Sequence, residues 1–140
     1  MTPPTSRTEE HIGEWRVSIV ADTLEGVFGE LARVIAHAAG DPEGEGVAWE
    51  SLEVSARDPA TLLVDAANEL IGRGEANGVA YDELANVSLV GGEGGEVALH
   101  AQVRGRRVAH WTSPLKAATY HALALEERNG RWRAQVLFDV

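Results

Sequence analysis

Apolar positions along the chain fall into stretches of period two, which predict strands, and two stretches of helical spacing. The polar opening, MTPPTSRTEE, predicts a flexible tail over residues 1–10 ahead of a single domain over 11–140. From Glu14 onward Trp15, Val17, Ile19 and Ala21 alternate with polar neighbours, a first strand. Asp22 followed by Glu25 has the form of a capping box, with Asp22 as N-cap of a first helix. Leu24, Val27, Phe28, Leu31, Ile35 and Ala38 form its apolar stripe, and Gly40 closes it. Residues 41–46 are an acidic loop, read as a solvated turn, since they lack the alternating ligands and distal Glu of an EF-hand. A second strand is expected over 47–56, where the imperfect alternation of Val47, Trp49, Leu52 and Val54 predicts a bulge near Ser51.

Asp58-Pro59 opens a second helix, with Asp as N-cap and Pro in the first turn. Its stripe is Leu62, Leu63, Ala66, Ala67, Leu70 and Ile71; Gly72 and Gly74 are expected to end it, and Asp65, Asn68 and Glu69 to form a solvated face. Two further strands, over 79–90 and 96–104, are joined by the glycine run at 91–95. No Lys-Ser/Thr follows that run and two glutamates flank its interior glycines, so it reads as a hairpin loop, not a phosphate cradle. Arg104-Gly105-Arg106-Arg107 is expected to be a solvated basic turn, and residues 110–114 a loop.

Residues 116–140 carry the strongest local signal. Asn129-Gly130 suits a type I′ turn, with Trp132, Ala134, Val136 and Phe138 alternating on one side and Tyr120, Ala122 and Ala124 on the other. Uninterrupted pairing sets Arg128 against Arg131, Leu123 against Val136, His121 against Phe138 and Tyr120 against Asp139. Six strands and two amphipathic helices predict an α+β fold with a mixed or antiparallel sheet layer.

Composition narrows the function. A 140-residue chain with 44% hydrophobic residues suits one soluble domain. No cysteine is present, which excludes disulfides, a thiolate nucleophile and cysteine zinc sites. No apolar run is long enough for a membrane span and the start lacks a signal-peptide core, so a cytoplasmic location is expected. The net charge of −10 disfavours a direct grip on nucleic acid and suits a cation or a basic protein partner. Eleven of the twelve basic residues are Arg; the one Lys is Lys116.

Catalytic constellations are missing from the sequence. The five histidines show no zinc spacing, no GxSxG or HExxH occurs, and His37 and His121 are expected to be structural, the latter facing Phe138. What remains is acidic: Glu14 at the start of the first strand, Asp139 at the end of the last, and the carboxylate of Val140. Such hard oxygens suit Ca²⁺ or Mg²⁺.

KAATYHALAL and the closing NGRWRAQVLFDV resemble the end of archease, which has KAVTYH and then a strand closing on FD and one aliphatic residue. Lys116, Ala117, Thr119, Tyr120, His121, Phe138 and Asp139 match. His11-Ile12-Gly13-Glu14 is similar to the family's His-Thr-Ala-Asp, Thr23-Leu24-Glu25 to its next motif, and LLVDAANELI to LLVDFLNELL. The resemblance implies a non-enzymatic activator of an RtcB-type RNA ligase, promoting its GTP-dependent guanylylation and multiple turnover in tRNA splicing and RNA repair. It further implies a divalent cation, Ca²⁺ or Mg²⁺, held by Glu14, Asp139 and Val140, with His11, Lys116, Tyr120 and His121 supporting the site or touching the partner. Glu14 replaces the family's Asp and sets its oxygens one methylene further out. Two other readings stay open: a divalent-cation-binding or chaperone-like module with a different protein client, and a small metal-dependent hydrolase.

Overall fold

In the computed structural model, which describes residues 2–91 and 95–140, the chain runs β1 (Thr5–His11), β2 (Glu14–Ala21), α1 (Leu24–Ala38), β3 (Glu50–Ala56), α2 (Pro59–Asn77), β4 (Val79–Gly91), β5 (Val97–Arg107), β6 (Ala117–Arg128) and β7 (Arg131–Asp139). Among the described residues the strands form two antiparallel sheets, ordered β1-β2-β7-β6 and β3-β5-β4. The α+β class stands, with seven strands in place of six and two sheets in place of one. Each helix contacts strands of both sheets, and one apolar cluster joins all four. Val17 and Ile19 of β2, Phe28 and Leu31 of α1, Leu62 and Leu63 of α2, Leu99 of β5 and Phe138 of β7 are almost wholly buried in it.

The expected tail is a strand from Thr5 onward. β1 pairs with β2 along its whole length, Thr5 with Val20 through His11 with Glu14, across the two-residue turn Ile12-Gly13. Nearly every β1 side chain is exposed, so hydropathy carries no trace of it; the backbone ladder holds it. Asp22 is not the cap of α1. Thr23 is, its hydroxyl accepting from the Gly26 N–H at 3.0 Å, while Asp22 accepts from the Thr2 N–H at 2.8 Å and lies 3.4 Å from Arg131.

α2 starts as expected, the Asp58 carboxylate accepting from the Thr61 N–H at 2.7 Å, but it passes Gly72 and Gly74 and ends at Asn77, where Gly78 turns left-handed at φ 64°. Gly74 serves packing: a Cβ there would come 2.7 Å from the Trp111 ring. The Thr61 hydrogen bonds hold the Asp58 carboxyl below its ordinary value, with Arg57 adding to the effect. A depressed carboxyl contributes stability that is complete above its unfolded pKa and lost as pH falls through the folded value. Wild type is therefore expected to lose stability below about pH 4 in part through this cap, and Asp58→Asn to show a shallower acid limb in urea titrations.

β3 starts at Glu50 and pairs with β5 without a bulge, contrary to the expectation at Ser51. Trp49 lies outside the strand, its ring 4.4 Å below the Arg104 guanidinium. The basic segment is no turn: Arg104 through Arg107 continue β5, with Arg104 paired to Glu83 at 2.9 Å and Arg106 donating to the Gly44 carbonyl at 3.2 Å. The acidic loop flanks it, Gly44 N–H donating to the Arg107 carbonyl. The interior of the expected glycine loop, residues 92–94, lies outside the described residues.

In the last hairpin Arg128 faces Arg131 across Asn129-Gly130, as expected. The register then slips by three: Ala118, not His121, faces Phe138, and Ala117, not Tyr120, faces Asp139. The cause is a bulge in which Ala122 takes φ 52° and its carbonyl accepts from the Gln135 side chain at 2.9 Å. His121 is consequently exposed and does not sit against Phe138; His37, expected to be structural, is exposed on α1.

Candidate functional site

The order β1-β2-β7-β6 brings the start of β2 beside the end of β7. At that end of the sheet one cross-strand row reads His11, Glu14, Asp139, Ala117. Directly opposite residues share a face with Cβ atoms about 5 Å apart, so the two carboxylates are neighbours. Val140 N–H donates to the Gly13 carbonyl at 3.1 Å, fixing the β1–β2 turn beside them, and Lys116 N–H donates to the Asp139 carbonyl at 2.8 Å. Glu14, Asp139, Val140, His11 and Lys116 thus share one rim.

Tyr120 and His121 do not join it. The bulge turns Tyr120 toward α2, where its hydroxyl donates to Asp65, a hydrogen bond that pushes the phenol above its ordinary pKa. Asp65 and Asn68, expected on a solvated face, hold β6 to the helix. Asn68 bonds Ala118 twice, accepting from its N–H at 2.7 Å and donating to its carbonyl at 3.1 Å, as a neighbouring strand would. An Asn beside Ala67 and Leu70 in a helix that buries both was the available signal. Asn68→Ala leaves both Ala118 groups without these partners and is expected to cost about 2 kcal/mol in chemical denaturation.

Like charges directly opposite in a sheet repel, and among the described residues neither Glu14 nor Asp139 has an ion-pair partner. Hard carboxylate oxygens left facing each other fit an oxygen-seeking cation. The side chains alone do not complete such a site: among the described residues no group of three or more His, Cys, Asp or Glu is placed to hold a metal. Further donors would have to be main-chain oxygens, those of Val140 foremost, and water.

The model of the archease protein family matches residues 7–140. The chain belongs to the archease family. A protein named archease from Methanosarcina mazei is 29% identical over 136 residues, covering 94% of this chain and 92% of that protein. One from Methanopyrus kandleri is 28% identical over 140 residues, covering 94% and 96%. The solution structure of protein 1598 from Methanobacterium thermoautotrophicum superposes with a TM-score of 0.76 at 18% identity, covering 96% of this chain and 98% of the other. The crystal structure of a Thermotoga maritima archease, described as a possible chaperone, gives 0.64 at 20% identity, covering 100% and 98%. In this archease the two motif segments touch: Asp65 and Asn68 of LLVDAANELI grip Ala118 and Tyr120 of KAATYH. No helix among the described residues is long and apolar enough to cross a membrane.

Proposed function

We propose that this archease is a non-catalytic accessory protein that activates an RtcB-type RNA ligase, promoting its guanylylation by GTP and its turnover in tRNA splicing and RNA repair. The observation that carries the reading is the pairing of Glu14 with Asp139 at an open rim of a family-typical fold. Glu14, Asp139 and main-chain oxygens of Val140 would hold a divalent cation, Ca²⁺ or Mg²⁺, which would offset the repulsion between the two carboxylates at the contact with the ligase. His11 and Lys116 border the rim and would meet the partner; Tyr120 and His121 act at a distance from it, Tyr120 by anchoring the bulge to α2.

A chaperone-like module with another client is the second reading, favoured by the description of the Thermotoga relative as a possible chaperone. The two separate in one experiment, guanylylation of the cognate ligase by GTP with and without this protein. Faster loading supports activation; unchanged loading together with suppressed aggregation of an unrelated client supports the second reading.

A further inference from the structure

On the face of β1 and β2 opposite the acidic rim lies a second polar site. A cavity of about 590 Å³ opens between β1 and α1, lined by Ser6, Glu10, Trp15, Glu30, Arg33 and His37 among others. Glu30 is only 9% exposed, the one buried charged residue among the described residues. One of its carboxylate oxygens accepts from the Ser6 hydroxyl at 2.7 Å. The other, Oε1, is buried without a hydrogen bond. Arg33 one turn on does not supply it: its Nε stands 3.8 Å away and its side chain is 67% exposed.

A buried carboxylate oxygen with no donor is costly and rare, which points to a ligand that brings N–H groups. A guanidinium fits: it gives charge-assisted hydrogen bonds to the carboxylate, and its planar group stacks on an indole such as Trp15. The site also continues. A second cavity of about 550 Å³ shares Glu30 and Arg33 and adds Glu25 of α1 with Asp82 and Glu83 of β4, so carboxylates of both elements border it, Glu83 being paired with Arg104. One small cation would occupy a fraction of this trough. Among the described residues β1 pairs with β2 alone, so its outer edge can take an extended chain.

We propose that this trough docks an extended basic segment of a protein partner, with the segment's arginine side chain bonded to Glu30 Oε1. The site lies apart from the Glu14–Asp139 rim, so its test needs no ligase. The amide spectrum of the ¹⁵N-labelled full chain is titrated with the peptide acetyl-Gly-Arg-Gly-Arg-Gly-amide, its glutamate counterpart, and butylguanidinium as the free cation. The arginine peptide should shift the amides of Ser6, Glu30 and Arg33 and the Trp15 indole. Glu30→Gln should weaken it about tenfold or more, and Arg33→Ala, which removes the competing cation, should tighten it several-fold. Absence of those shifts at millimolar peptide, equal affinity for the glutamate peptide, or an unchanged or weaker Arg33→Ala would overturn the proposal. Equal affinity for butylguanidinium would replace the segment by a free small cation. Should Glu30→Gln fail to fold, the Arg33→Ala result decides.

Discussion

Gly105→Val is expected to destabilise the protein by roughly 3 kcal/mol or more, a large share of the 5–15 kcal/mol typical of a domain. Gly105 lies in β5 where the pairing with β4 slips between Ala80 and Glu83, so that Tyr81 and Asp82 together oppose it. The backbones approach so closely that a Cβ on Gly105 would overlap the Ala80 carbonyl oxygen, and that oxygen belongs to the main chain and cannot swing away. Relief requires parting β4 from β5. That would disturb the Tyr81 hydroxyl, which donates to Glu50 at 2.7 Å and accepts from Asn77 at 2.9 Å, tying β4 to β3 and α2. The Gly105 carbonyl also accepts from Val47 N–H, so the loop before β3 is lost with it. Gly72→Ala is the matched control. Gly72 lies inside α2 with open space where a Cβ would go, and alanine there is expected to stabilise by about 0.5–1 kcal/mol. Urea denaturation of the two variants side by side reads both effects.

Asp139→Ala is expected to abolish activation of the ligase while leaving the melting temperature within a few degrees of wild type. The side chain is exposed at the last residue of β7, so its removal opens no cavity, and it ends one repulsive cross-strand contact. Cation affinity measured by calorimetry should drop at least about tenfold, which corresponds to roughly 1.4 kcal/mol, because half of the side-chain charge is gone. Glu14→Ala should have the smaller effect, its longer side chain holding its oxygens less firmly. Glu14→Asp should tighten the cation. Equal, wild-type affinities in all three variants would remove the cation from the account.

How much of this was legible in the sequence depended on which force places each element. Where apolar burial decides, the pattern was sufficient: β2, α1, α2 and β7 lie where Val17, Phe28, Leu62 and Phe138 require. Where backbone pairing or close approach decides, it was not. β1 has almost no buried side chain, and the glycines at 74 and 105 read as a stop and a turn but are contact points for Trp111 and β4. The hairpin was read correctly at its turn and wrongly beyond it, because a left-handed Ala122 carries no compositional mark. The rim survived that error. Glu14 meets Asp139 through β2–β7 pairing, which owes nothing to the β6 register, and Tyr120 and His121 were the residues lost from it. Asn68 and Asp65 looked solvated because an amphipathic wheel records polarity and not the strand edge that polarity can satisfy.

The central claim is tested most directly by following covalent GMP loading of the cognate RtcB-type ligase with GTP and divalent cation, alone and with equimolar wild-type or Asp139→Ala protein. The account predicts faster loading with wild type, no acceleration with Asp139→Ala, and no nucleotide adduct on this protein in either case. Identical loading curves with and without wild-type protein would contradict it.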